Sequence, residues 1–494
     1  MGVIATLATA YFYHYFQHTP KLSDKDTIVL AEFANRTGDA VFDGTLRQGL
    51  SIQLEQSPFL SVVSDQRIQQ TLRLMGRSGD TPVTPELARE ICERTGGTAV
   101  LEGSIASFGR QYVLALVAKN CRSGDTLDEQ QEQAARKEDV LNVLTRMASR
   151  FRKKAGESLV TIRQHSTTLS EATTSSLEAL KAFSMGWSVH LSKGHAAALP
   201  WFKRATEIDP EFATAYAWLG RMYGAVGEYA LATKCSRKAW QLRDHASDRE
   251  RFYIDFSFHR FVTGNLEKAI STCELWTQAY PRDTLPHSFL GSSVTTALGK
   301  FEKAARASTK AIELDPDYAM AYANLAAAYR YGNQLEHAER TVQRARDRKL
   351  EIPDFQISRF YFAFLKNDAT EMARVAELSQ DDPEIQDLIC DLQGSVLAYH
   401  GHLQQARIMS RRAVDLARES TTVRVRLSTK PQQPCARCFS DPRTKLGNAR
   451  FRHWPYQTIE KLAMVRASFS RLQEMSPGRK QSPTNSRGAI QKIL

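Results

Sequence analysis

The side chains that could do chemistry are few and poorly arranged for it. Cys435-Ala-Arg-Cys438 has the spacing of half a zinc site, but a closed site needs four ligands and only His453 follows within reach. His400-Gly-His402 falls at a turn between two helical patterns, where solvated histidines are ordinary. No Ser/His/Asp or Cys/His set lies near a nucleophile turn, and no pair of histidines has metal-ligand spacing. Phosphate-cradling loops of the GxxxxGKS/T or GxGxxG kind are missing, and Arg94-Thr-Gly-Gly97 is a helix stop. Cys92, Cys121, Cys235, Cys273 and Cys390 stand singly and the total of seven is odd, so no disulfide framework is expected. The sequence therefore predicts no catalytic residue, no metal and no cofactor.

Charge gives a second exclusion. The chain has 494 residues with 66 Lys+Arg against 54 Asp+Glu, a net +12. Residues 420–494 alone hold 15 Lys/Arg and three acids, Asp441, Glu460 and Glu474, which leaves 51 basic and 51 acidic side chains in residues 1–419. The body is neutral and carries no excess positive charge to attract phosphate backbones. A second reading, nucleic-acid association through the tail, would be weak, sequence-independent and salt-sensitive.

The elements that position these residues fall into four stretches. Residues 1–18 are apolar and shorter than a full membrane span, with Tyr11, Tyr13 and Tyr15 where an interfacial aromatic belt would lie; this reads as part of an anchor helix, followed by a linker over 19–25. Residues 26–165 alternate strand and helix signals. Thr27–Phe33 is a strand ended by the turn chemistry of Asn35–Asp39, an amphipathic helix carries Phe42, Leu46, Leu50 and Leu54, and Phe59–Val63 is a second strand. Asp65–Met75 and Thr84–Thr95 read as helices, the latter with an N-cap and Pro85 in its first turn. Thr98–Phe108 and Gln111–Asn120 alternate apolar and polar across Gly109-Arg110, a type II′ hairpin, and a helix is expected over Glu138–Leu159.

From about 175 to 419 the pattern is helical and repeats. Ala198, Ala232, Ala269, Ala304, Ala338, Met372 and Ala406 follow at steps of 34, 37, 35, 34, 34 and 34. Seven residues after each stand Ala205, Ala239, Trp276, Ala311, Ala345, Ser379 and Ala413. Two antiparallel helices approach to about 8–10 Å only if the side chain at the crossing is small, so each unit predicts a helix pair, and pairs must stack to bury their apolar faces. After Glu419 the spacing stops; 420–494 reads as a basic disordered tail or as sequence in a shifted frame.

These residues resemble tetratricopeptide repeats, with Ala213–Asp244 matching closely, Ala319–Leu350 nearly so and 352–385 degenerate, about seven units in all. Asp26–Asp39 and Ala99–Phe108 resemble the TolB-like N-terminal α/β domain that precedes such arrays. The two-domain order is similar to the non-kinase half of membrane-bound bacterial serine/threonine protein kinases. The fold expected is thus a TolB-like α/β domain followed by an all-α tetratricopeptide superhelix. The kinase motifs themselves are missing: Asp255-Phe256-Ser257 lacks the glycine of a DFG motif, and there is no HRD loop.

The resemblance implies a non-catalytic interaction or sensory scaffold, membrane-anchored with its body extracytoplasmic. Lys21 and Lys25 beside the apolar run argue for the opposite side, and a cytoplasmic location is the alternative. Because Met1 falls inside the apolar run, the chain also reads as a fragment of a kinase whose catalytic domain lies upstream. A protein or peptide ligand is expected in the groove, on the face carrying Arg221, Phe258, Phe261 and Arg330, since aromatic and Arg side chains are the usual interface anchors. The five-residue carboxylate clamp of some tetratricopeptide domains is not reproduced.

Overall fold

The computed structural model describes residues 26–382 and 385–428, with backbone alone over 418–428. The expected anchor helix, the linker, Cys435, Cys438, His453 and most of the basic tail lie outside the described residues. Among the described residues no helix is long and apolar enough to cross a membrane.

Residues 26–165 build a mixed sheet with strand order β3-β1-β4-β5-β6, in which β1 is Thr27–Leu30, β3 Ser61–Val62, β4 Ala99–Phe108, β5 Gln111–Asn120 and β6 Thr126–Ala134. β1 runs parallel to β3 and β4, while β4, β5 and β6 form an antiparallel meander. The hairpin has the expected two-residue loop, with Phe108 opposite Gln111 and φ +63° at Gly109. One strand was not foreseen: β2, Ala34–Arg36, pairs with β4 beyond β1 where turn chemistry alone was expected. The Phe33 ring at this step lies where a Cβ on Gly103 would stand, so the glycine admits the aromatic ring.

Apolar residues at alternate strand positions feed two layers. Ile28, Leu30, Leu101 and Leu116 face α1 (Thr45–Glu55) and α4 (Val140–Lys154), while Val29, Val63 and Val100 face α2 (Asp65–Leu74) and α3 (Pro85–Thr95). The helix expected to continue to Leu159 instead stops at Lys154. Gly156 turns the chain with φ +106°, and Ser158 caps a new short helix, α5 (Leu159–Gln164). The break places Glu157 against Arg152, both 1% exposed, in a two-pronged ion pair at 2.6 and 2.8 Å. Ser57 Oγ donates to Glu157 at 2.7 Å, completing the satisfaction of a charge buried in the domain core.

The cysteine reading needs correction. Cys92 and Cys121 form a disulfide between the last turn of α3 and the end of β5. The hairpin returns the chain so that Cys121 N–H donates to Thr98 O, just past the glycines that end α3. This pairing follows from topology and has no signature in linear spacing; Cys235, Cys273 and Cys390 remain free and buried.

After a one-turn helix α6 (Leu169–Ala172), seven helix pairs follow among the described residues. They are the two halves of α7 (Leu177–Ile208), α8 with α9 (Ala213–Ala225, Tyr229–Gln241), α10 with α11 (Asp248–Phe258, Leu266–Ala279), α12–α13 with α14 (Thr284–Gly291, Ser293–Thr296, Phe301–Leu314), α15 with α16 (Ala319–Tyr331, Leu335–Asp347), α17 with α18 (Pro353–Leu365, Ala369–Leu378), and α19 with α20 (Gln386–Tyr399, Leu403–Ser428). α7 is two helices meeting at Gly194, whose φ of +80° and ψ of −176° lie outside the helical region. α20 continues past Glu419 and comes into contact with α7.

The small residues do what their spacing requires. Ala198, Ala232, Ala269, Ala304 and Ala338 on the second helices are fully buried, as are Ala205, Ala239, Ala311 and Ala345. Across the crossing, a Cβ on Gly220 would stand 2.8 Å from Ser236 Oγ and 3.2 Å from the Ala232 carbonyl, so that approach requires glycine. The longer steps have local causes as well. A 3-10 turn at Arg243–His245 and a π-helical turn at His259–Thr263 take up the 37-residue step, and extended Ser292 splits α12 from α13 in the 35-residue one.

The α/β domain docks along the loops that join one pair to the next. Arg249 bridges Glu55 of α1 (2.9 Å) and Asp283 (2.7 Å). Arg282 donates to the Asp26 carbonyl, Ser64 to Asp315 at 2.6 Å, and Arg67 pairs with Asp317 at 3.4 Å. Gln70 of α2 donates to the carbonyls of Arg348 and Lys349. Burial pushes the Asp315 and Glu55 carboxyls up, against the pull of Ser64 and Arg249 respectively.

Candidate functional site: the inner face of the helix pairs

Successive first helices, α8 with α10, α12 with α15 and α15 with α17, pack on one another, whereas second helices of adjacent pairs touch marginally at most. The first helices therefore line the inner side of the curve and the second helices splay on the outside. Side chains that cross from one first helix to the next form the candidate site.

The crossing is aromatic over the first four pairs. Trp187 meets Trp218 at 4.7 Å, Trp218 meets Tyr253 at 4.8 Å, and Tyr253 meets Phe289 at 5.8 Å. Arg221 lies on this row, its guanidinium 5.9 Å from the Trp218 ring and 5.2 Å from Phe289. His190 stands 5.7 Å from Trp187 and 4.7 Å from His195. Farther along, Arg330 covers Tyr361 at 3.9 Å and Tyr331 at 4.4 Å. The two arginines singled out from sequence thus occupy similar settings at two places on the array.

Phe258 and Phe261 are held elsewhere. Phe258 stacks on Trp240 of the preceding second helix, with ring centroids 4.5 Å apart and planes 18° apart. Phe261 sits in the π-helical turn, its ring 2.7 Å from where a Cβ on Gly224 would be, and Thr233 Oγ1 donates to its carbonyl. Both are half-buried in the contact between the second and third pairs, because the surplus residues of the 37-residue step shift the end of α10 relative to its neighbours. Sequence reasoning missed Trp187, His190 and Tyr361. A signal existed for two of them: Trp187 lies one 34-residue step before Arg221, and Tyr361 stands at the equivalent place of the sixth pair. His400 and His402 are exposed at their turn.

Burial, with Arg221 adding to it, pushes His190 down to about 4. The unfolded chain, with an imidazole near 6.5, takes up a proton first, so acid favours unfolding between those two values. Glu55 and Asp315, raised by burial, work in the opposite direction, since the native state protonates first. The His190 contribution is isolated by comparing the chain with a His190→Gln variant. Between pH 7 and pH 4 the parent is expected to lose on the order of 2–3 kcal/mol relative to the variant, read from urea midpoints. Parallel pH profiles would show that His190 does not titrate in this way.

Fold and site together define a repeat of stacked helix pairs, with an α/β domain docked on its inter-pair loops and Arg221 and Arg330 set against aromatic rings of the first helices. No family model and no curated protein matches the chain. Similar solved structures include a thermophilic TPR protein of Thermus thermophilus, at 21% identity, covering 38% of this chain and 99% of that one with a TM-score of 0.29. A Rap protein complexed with competence and sporulation factor is 12% identical, covering 58% and 94%, TM-score 0.40. The LpoB C-terminal domain from Salmonella enterica is 16% identical, covering 25% and 90%, TM-score 0.22.

Proposed function

We propose that this chain is a non-catalytic scaffold that holds a peptide or an extended protein segment on the inner face of its helix pairs. The carrying observation is the pair of half-buried side chains Arg221 and Trp187, set on the helices that line the curve over a row of buried rings, Trp218, Tyr253 and Phe289. Aromatic and Arg side chains supply most interface energy when they are held rigid. Peptides selected from a displayed random library on the full chain, re-synthesised with a photoreactive group, are the test. Cross-links falling within 213–225, 284–297 and 319–331 support the reading; cross-links on the second helices or on the sheet refute it.

In the same reading the α/β domain is of the TolB-like kind, and the chain is the accessory extracytoplasmic segment of a bacterial signalling protein, anchored by its apolar N-terminal residues. An upstream kinase domain would pass the bound state across the membrane. The Cys92–Cys121 pair supports this location, because disulfides persist in oxidising compartments. Protein denatured and alkylated without reduction is expected to leave these two cysteines unlabelled while Cys235, Cys273 and Cys390 are labelled, read by mass spectrometry after digestion. Full labelling of both in protein from its own host would favour the cytoplasmic alternative.

A further inference from the structure

We infer that the inner face of the first three helix pairs is built to receive a carboxylate, from an acidic side chain or a peptide C-terminus, with Arg221 as its cationic partner. The inference rests on the groove reading above and names what the groove recognises.

Three buried polar atoms on these pairs have no hydrogen-bond partner: Arg221 Nε, His190 Nδ1 and the Tyr253 hydroxyl. They come from three successive pairs, and His190, Tyr253 and Tyr318 all feel the Arg221 charge. Burial pushes the Tyr253 phenol up, against the pull of the Arg221 charge and of Ser257 one turn on. Buried polar groups of this kind are as a rule satisfied in native proteins, by protein, ordered water or a ligand.

The partner's charge follows from the comparison with other arginines. Arg47, Arg152 and Arg249, similarly removed from water, each have a carboxylate: Asp65 at 2.7 Å, Glu157 at 2.6 Å and Asp283 at 2.7 Å. Arg221 has only aromatic faces, Trp218 and Phe289, and no ion pair among the described residues. A cation set among apolar rings gains most from an anion that matches its planar fork, and a carboxylate does so with two parallel hydrogen bonds. The neutral His190 imidazole and the Tyr253 hydroxyl add hydrogen-bonding capacity beside it, and the half-buried Trp187 ring, whose Nε1 donates to Asp65 at 2.9 Å, offers apolar surface for the neighbouring residue of the ligand.

The experiment uses the full chain and fluorescent octapeptide pools whose other positions are randomised among Leu, Phe, Ala and Ser. Fixed central Glu, Gln, phosphoserine or Lys are compared, each with a free or an amidated C-terminus. The Glu pool, or the free-terminus pools, should bind about 10- to 100-fold more tightly than the Gln and amidated ones, and which of the two arms shows the gain identifies the source of the carboxylate. Arg221→Gln should remove the difference at unchanged thermal midpoint, while Arg204→Gln on an outer helix should leave it intact. Equal binding of all pools, or a preference that survives Arg221→Gln, overturns the inference and leaves the groove reading standing. A phosphoserine pool favoured over Glu also counts against a carboxylate, and no binding by any pool overturns both.

Discussion

Trp276→Ala is expected to cost about 3–5 kcal/mol, although alanine is what most of the neighbouring pairs carry at that place. Ala205, Ala239, Ala311 and Ala345 are small because their helices cross closely; Trp276 is equally buried but belongs to the pair with the longest step. Its ring stacks on Phe252 at 6.1 Å with planes 8° apart, meets Phe289 at 6.2 Å, and has the Arg249 guanidinium 6.0 Å above it. Replacement would leave a cavity that the π-helical turn and the split helix on either side are poorly able to close. Urea unfolding followed by circular dichroism measures the loss; a change below about 1 kcal/mol would mean that the pair collapses onto the common repeat geometry.

Arg249→Met is the second large effect, about 2–4 kcal/mol, because it leaves two carboxylates facing each other without their cation. Asp283 is 8% exposed and Glu55 is held between burial, which raises it, and Arg249, which lowers it. Since the residue joins α1 to the loop ahead of α12, the loss should appear as partial uncoupling: a separate, earlier calorimetric transition for the α/β domain. Adding Glu55→Gln to Arg249→Met should recover part of the stability, since the orphaned charge is then gone. A single transition with the midpoint unmoved would show that the docking rests on the other loop contacts.

The helix pairs were legible because one physical demand, a small residue at each close crossing, recurs with the period of the unit and survives degeneration elsewhere. The sheet was legible in β4 and β5, whose alternation covers ten residues each, and much less so in β2 and β3, of three and two residues, which pairing defines and pattern does not. The candidate site divided along the same line. Arg221 and Arg330 sit in pairs of regular length and land on aromatic faces. Phe258 and Phe261 sit at and just after the end of α10, where the π-helical turn takes up surplus residues, and pack in the contact with the preceding pair. Which side chain is left without a partner, as at Arg221, depends on every neighbour at once and is written in no single stretch of sequence.

A stack of helix pairs behaves mechanically as a spring, free to open and tighten about its axis with little cost at any one joint. Here Glu55, Ser64, Arg67 and Gln70 of a single α/β body grip Arg249 at the start of α10, Asp315 and Asp317 ahead of α15, and the Arg348 carbonyl after α16, at three different joints between pairs. That body is a strut laid across the coil. It fixes the pitch of the turn beneath it, and any ligand that tightens or opens the coil must either strain the strut or tilt it, converting a change of curvature into a rigid movement of the sheet.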